Sequence, residues 1–229
     1  KNITSPFGGG FEGEDLHLLA WTTTPWTLPS NTALTVGPKI EYVVVKTFNQ
    51  YTFEPVNVIL AKKLIGYQFS KNFFPVESTQ ELSAYNAGDK KVPYFIAGEC
   101  VGTDLVGMKY EQLLPYAQPY ENADQAYRVI PGDFVTTEDG TGIVHTAPTF
   151  GADDAQVSKE ATPPIPPLLV LDAYENEEPL VTLEGKFHEV LGDLGGKYVK
   201  NEYYPDGTAP ERSVDVEIAI RLKEENRAF

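Results

Sequence analysis

Apolar positions along this chain come in short runs broken by glycine, proline and polar clusters. "EYVVVKTF" (41–48) is short and β-branched, which predicts a buried strand. "NTALTV" (31–36) precedes it, and "LHLLAWTT" (16–23) is a further strand candidate stopped by Pro25. "VNVILAKKLIGYQF" (56–69) starts as a strand, changes to helical spacing and is expected to close near Gly66. "PYFIAGECVGTDLVGMKYEQLL" (93–114) reads as a strand, a glycine-containing turn and a second strand. "AYRVIPGDFVTTEDGTGIVHTAP" (126–148) reads as two strands around the turn "EDGTG". "GADDAQVSKEA" is a short helix ended by the proline-rich "TPPIPP", and "LLVLDAYENEEPLVTL" is a hairpin. The last seventeen residues, "SVDVEIAIRLKEENRAF", alternate like a strand, yet they lack Gly and Pro and open on Ser213, so a capped helix is favoured. Residues 70–93 are polar with scattered aromatics and predict little. The expected fold is mixed α/β: a compact, mostly antiparallel β-barrel core with short flanking helices. Residues 1–14 read as a flexible tail or linker and 15–229 as one domain.

Composition narrows the class. At 229 residues with 41% hydrophobic content, the chain suits one sizeable domain. A single cysteine, Cys100, excludes an internal disulfide framework and a cysteine-rich zinc site, and fits a reducing, cytoplasmic compartment. No run of about eighteen apolar residues and no basic-then-apolar leader is visible, so neither a membrane span nor a secretory signal is expected. The ends, "KNITSPFGGG" and "KEENRAF", have the texture of cut points. A net charge of −15 argues against a domain whose main task is gripping phosphates. It fits a small-molecule enzyme, or one part of a larger protein that grips nucleic acid elsewhere.

Three stretches could carry chemistry. Thr22, Thr23 and Thr24 cannot all face one way in a strand, but at a strand end they can fan around a turn. Their hydroxyls then suit a polar ligand such as a ribose or an ester carbonyl, while plain β-propensity is the bland explanation. In "GTGIVHTAP", His145 stands at a strand end, where it could orient or exclude a ligand, carry a proton, or simply be a satisfied half-buried histidine. In "FGADDAQV", Asp153 and Asp154 fall at a helix start, where acidic residues favour the dipole and cap. Two adjacent aspartates cannot cap equally well, so one is free for a cation or ammonium group. No Gly-x-Ser-x-Gly elbow and no phosphate loop is present. His17, His145 and His188 are scattered, so no metal site is expected; a metal-dependent hydrolase built on Asp153, Asp154 and His145 has no standard spacing.

Taken together, "WTTTPWTLPSN", "VGTDLVGMKYEQLLPY" and "TTEDGTGIVHTAPTFGADD" resemble the editing insertion of isoleucyl-tRNA synthetase, in order and at plausible separations. The resemblance runs from about residue 15 to the end and is weakest over 48–90 and 162–167. The leucyl and valyl enzymes carry a Thr-Arg-Pro version of the first motif, and the synthetic signatures His-Ile-Gly-His and Lys-Met-Ser-Lys-Ser are absent. The resemblance implies the editing-domain fold of those three synthetases, and hydrolysis of valyl-tRNA(Ile), with valyl-adenylate a further substrate. It implies that Asp154 holds the α-ammonium, His145 shapes the pocket against isoleucine, and Thr22–Thr24 line the site near the terminal adenosine and scissile ester. It places Asn31 in the site and Trp26 on a pocket wall. It implies no cofactor for editing, ATP and Mg belonging to the absent synthetic part. The implied partners are the valine-bearing 3′ end of tRNA(Ile) and the remaining synthetase chain, with no membrane and a monomeric isolated domain. Phe150 stands where many members have a second histidine, so any role of that histidine is absent. The rival expectation is a module that binds the tRNA end or a partner without hydrolysis.

Overall fold

The β-branched run at 41–48 becomes the centre of the larger of three sheets. The computed structural model describes residues 6, 7, 11, 13–172 and 174–229. In chain order the elements are β1 (His17–Leu18), β2 (Ala33–Val36), β3 (Glu41–Phe48), β4 (Pro55–Ala61), α1 (Ile65–Gln68), β5 (Phe73–Pro75) and α2 (Thr79–Leu82). There follow β6 (Val92–Val101), α3 (Gly102–Leu105), β7 (Arg128–Pro131), β8 (Ile143–Thr146), α4 (Ala152–Glu160), β9 (Leu169–Leu171), β10 (Glu177–Pro179) and α5 (Val214–Glu224). The five-stranded sheet has the order β1-β4-β3-β6-β5, with antiparallel pairing at its centre and parallel pairing at both edges. The three-stranded sheet has the order β7-β2-β8, β2 being parallel to β7 and antiparallel to β8. β9 and β10 form the expected hairpin.

Why β3 lacks alternation is plain from its packing. Tyr42 and Val44 point to a core shared with Leu34 and Val36 of β2, Ile59 of β4, and Ile143. Val43 and Val45 point the other way, to Val58, Leu60 and Phe69. A strand covered on both faces reads as a continuous apolar run. A separate apolar cluster gathers Leu180, Phe187, Leu191 and Leu194 under α5, whose Val214, Ile218 and Leu222 face inward. Ser213 caps α5 by accepting from the Val216 N–H, as its position predicts.

Several expectations are corrected. Among the described residues no sheet closes into a barrel: the strands form three separate sheets with mixed pairing. The strand at 16–23 shrinks to His17–Leu18, and Trp21 adds only an isolated bridge to Val144. The strands flanking "EDGTG" do not pair with each other, because β2 lies between them. The second strand expected after Gly102 is absent; α3 starts there instead, and Gly102 lies so close to the Gly37 carbonyl that a side chain has no room. The helical segment after β4 runs through Gly66 to Gln68. Of the tail expected over 1–14, residues 1–5, 8–10 and 12 lie outside the described residues, while Phe11 is buried against the first core cluster.

Candidate functional site

The threonine run lies beside β8. The Trp21 N–H donates to Thr141 Oγ1 (3.3 Å), and the Thr24 N–H donates back to Thr22 Oγ1 (3.0 Å), curling the chain. Pro25 then opens a six-residue 3-10 turn, Pro25–Ser30, where a missing N–H costs nothing. The Trp26 N–H donates to Asp215 Oδ1 at 2.8 Å, so the first turn of α5 anchors this turn from 189 positions away. The effect is to present Thr22, Thr23 and Thr24 on one rim of a cleft of about 540 Å³. Trp26 and Thr27 continue that rim, the chain from Asp139 to His145 forms a wall that Trp21 adjoins, and Ala147, Phe150, Gly151 and Asp154 complete the lining.

Gly142 allows that wall to sit where it does. Its φ is +74°, and a Cβ there would lie 2.5 Å from the Ala61 Cβ. The buried Tyr42 hydroxyl, donating to the Gly142 carbonyl, fixes the turn from below.

His145 lies opposite Leu34 in the β2–β8 pair and lines the cleft half-buried. Its Nε2 is 3.0 Å from Thr27 Oγ1, and its Nδ1 is 2.8 Å from Asn31 Nδ2. Burial pushes its pKa down to about 4, so the ring is neutral at physiological pH. Asn31 is not on the cleft surface. It is buried behind His145, where Nδ2 also donates to the Ala33 carbonyl (2.8 Å).

Asp154 sits in the first turn of α4, yet neither it nor Asp153 caps the helix. Its Oδ2 accepts from the Ala147 N–H at 2.9 Å, and no protein donor reaches its other oxygen among the described residues. Burial raises its pKa, the Ala147 bond opposes that rise, and the neighbouring Asp153 charge adds to it. Gly151 makes room for this carboxylate: a Cβ there would lie 2.8 Å from Asp154 Cγ. Trp26 meets Phe150 edge-on, with ring centroids 5.1 Å apart.

The cleft therefore gathers Thr22–Thr24, Trp26, His145 and Asp154, and leaves Asn31 one layer back. Thr27, Gly151, Tyr110 behind Asn31, and Asp215 were not singled out by the sequence. Thr27 and Tyr110 lie inside the motifs quoted above, but nothing in their local pattern marks a role. The site offers one carboxylate oxygen for a cation, a row of hydroxyls and a neutral imidazole wall. Among the described residues no three His, Cys, Asp or Glu side chains gather as metal ligands, and no helix is long and apolar enough to cross a membrane.

No protein-family model matches the chain. It is 53% identical over 228 residues to an isoleucine–tRNA ligase of Cytophaga hutchinsonii, a match covering 94% of this chain and 20% of that protein. It is 48% identical over 229 residues to the corresponding ligase of Bacteroides fragilis, covering 93% and 19%. With that of Treponema denticola it shares 35% over 240 residues, covering 99% and 18%. The chain thus spans about a fifth of the length of these curated relatives. Among solved structures it overlaps in part with the P. knowlesi cytosolic leucyl-tRNA synthetase editing domain (TM-score 0.41, 19% identity, 70% of this chain and 53% of that one). The P. falciparum counterpart overlaps similarly (TM-score 0.41, 16% identity, 63% and 47%).

Proposed function

Because the chain belongs to the isoleucine–tRNA ligase family, as a segment about a fifth as long as its relatives, we propose that it is the domain that hydrolyses valine from wrongly charged tRNA(Ile). The observation that carries this reading is one cleft in which an unclaimed carboxylate oxygen, a row of hydroxyls and an imidazole wall converge. A valyl ester carries an α-ammonium at neutral pH, and Asp154 is its natural partner. The Thr22–Thr24 hydroxyls suit the terminal ribose and the ester carbonyl. Water attacks the carbonyl carbon, the ester C–O bond breaks, and the electron pair leaves with the ribose oxygen, which takes up a proton. Free valine and uncharged tRNA result. Positioned water and oxyanion support are enough for an activated ester, so no nucleophilic side chain is needed.

Selection is by size. A missing methylene is worth only roughly 1–3 kcal/mol in a binding pocket, a limit for which the isoleucyl enzyme's handling of valine is itself the standard illustration. A second, hydrolytic sieve then has to exclude the larger isoleucine, and His145 with Trp26 supplies the rigid stop. The partners in this reading are the 3′ end of tRNA(Ile) and the rest of the ligase, in the cytoplasm, and valyl-adenylate is a further substrate.

The test is deacylation of valyl-tRNA(Ile) and isoleucyl-tRNA(Ile), by the isolated chain and by the full-length ligase. Wild type is expected to hydrolyse the valyl ester selectively. Asp154→Asn keeps an oxygen for the Ala147 N–H but loses the charge, and is expected to lose about ten- to hundred-fold, as for a charged hydrogen bond of roughly 1.5–3 kcal/mol. Equal turnover in Asp154→Asn would remove the ammonium role. No hydrolysis by the full-length ligase would leave a tRNA-end binding module.

A further inference from the structure

We infer that Tyr110 is a positioning residue for this site: through Asn31 it holds His145 in a single orientation as a hydrogen-bond donor through Nε2, and thereby bolts the two walls of the cleft together. The inference rests on the editing reading for its consequence, but not for its geometry.

The chain of donors and acceptors runs one way. Tyr110 Oη donates to Asn31 Oδ1 at 2.6 Å. Asn31 Nδ2 faces two backbone carbonyls, Ala33 (2.8 Å) and Thr146 (3.3 Å). A carbonyl only accepts, so the nitrogen, not the oxygen, must lie on that side, and the Tyr110 hydroxyl fixes the same choice from the other end. An amide nitrogen accepts nothing, so of its two N–H groups one goes to the Ala33 carbonyl and the other to His145 Nδ1, each at 2.8 Å, and the longer Thr146 contact is only shared. With Nδ1 an acceptor, a neutral imidazole carries its proton on Nε2. Nε2 then donates to Thr27 Oγ1 (3.0 Å), whose own proton goes to the Thr24 carbonyl (2.9 Å). Every member of the row is satisfied, and its last member is the backbone of the threonine rim.

Two consequences follow. Thr27 and His145 are close enough to suggest a nucleophile and its base, yet the ring nitrogen facing Thr27 already bears a proton and cannot take another. His145 is a pin and a steric stop, not a proton carrier. Moreover, the row crosses between elements far apart in sequence: Tyr110 from the segment after α3, Asn31 from the end of the 3-10 turn, His145 from β8. Tyr110 is itself held, its N–H donating to the Tyr127 carbonyl (2.9 Å) and its ring edge-on to Tyr127. Burial pushes its phenol well above the usual range, so it stays a donor at any working pH.

The experiment is long-range ¹⁵N–¹H correlation NMR of the histidine rings in the isolated chain, with the His145 signal identified by its loss in His145→Gln. Wild type is expected to show the Nε2–H tautomer alone. Tyr110→Phe keeps the ring and its packing and removes only the donor; it is expected to give a mixture of tautomers or exchange-broadened ring signals. Asn31→Asp replaces the amide donor by an acceptor and is expected to move the proton to Nδ1 or to protonate the ring. A second arm compares deacylation of isoleucyl- with valyl-tRNA(Ile) by the full-length ligase, where Tyr110→Phe is expected to raise that ratio about tenfold. An Nδ1–H tautomer in wild type, or a His145 ring unchanged in Tyr110→Phe, would overturn the inference. If the ligase hydrolyses neither ester while the NMR behaves as expected, the editing reading falls and the positioning role stands.

Discussion

At the residue scale the site is an arrangement of neutral and charged groups set by burial. His145 takes its proton near pH 6.5 in an unfolded chain, but only at about 4 when folded. The unfolded state therefore binds more protons in that window, and stability falls as pH drops from 6.5 toward 4, at up to about 1.4 kcal/mol per pH unit. Asp154 and Asp215, both raised by burial, act with the opposite sign. The informative measurement is thus the difference between wild type and His145→Gln in urea unfolding at pH 7 and pH 4.5, and the difference is expected to narrow at the lower pH. Gly151 gives a second prediction. Its φ of −107° suits alanine, so Gly151→Ala strains no backbone, but the new methyl meets the Asp154 carboxyl group. Valyl-tRNA deacylation is expected to fall about as in Asp154→Asn, with the melting temperature nearly unchanged. Thr22–Thr24, His145 and Asp154 were legible in the sequence through the motifs that carry them, although each type is ordinary in its local setting. Tyr110 and Asp215 were not, because each acts through a contact more than seventy positions away.

At the element scale, the β-branched β3 was legible to the residue, and the start of α5 was legible through its cap, although the helix stops at Glu224, short of the expected end at 229. The barrel was not, because periodicity reports which face is buried and says nothing of which strand is the neighbour. Insertion of β2 between β7 and β8 is the instance: the two look like a hairpin in sequence, and only tertiary pairing separates them. The 3-10 turn is the element on which the site depends most, and α5 supports it. Asp215→Ala leaves the Trp26 N–H without its acceptor, which is expected to cost roughly 1–3 kcal/mol, or a few degrees of melting temperature in a domain of this size. Asp215→Asn retains an acceptor and is expected to recover most of that loss. Equal melting of the two variants would show that the carboxylate charge, not the hydrogen bond, matters.

At the scale of the whole molecule, a net charge of −15 sets the terms of any encounter with tRNA. An acidic surface repels a polyanion, so under the function proposed above the phosphate contacts are expected from the rest of the synthetase. The isolated chain is expected to bind uncharged tRNA no more tightly than roughly 10⁻⁴–10⁻⁶ M at physiological salt, the range of sequence-independent binding. Nanomolar retention in a filter assay would show that the domain carries its own tRNA grip. The bond from Asp215 to the Trp26 N–H has one more consequence, for synthesis on the ribosome. The threonine rim leaves the exit tunnel early, but its wall at 139–154 and its anchor at 215 follow much later. Contacts so far apart in sequence close late in folding. A nascent chain thus holds no finished cleft until translation has passed α5, and a chain interrupted before that point carries the threonine rim without its wall or its anchor.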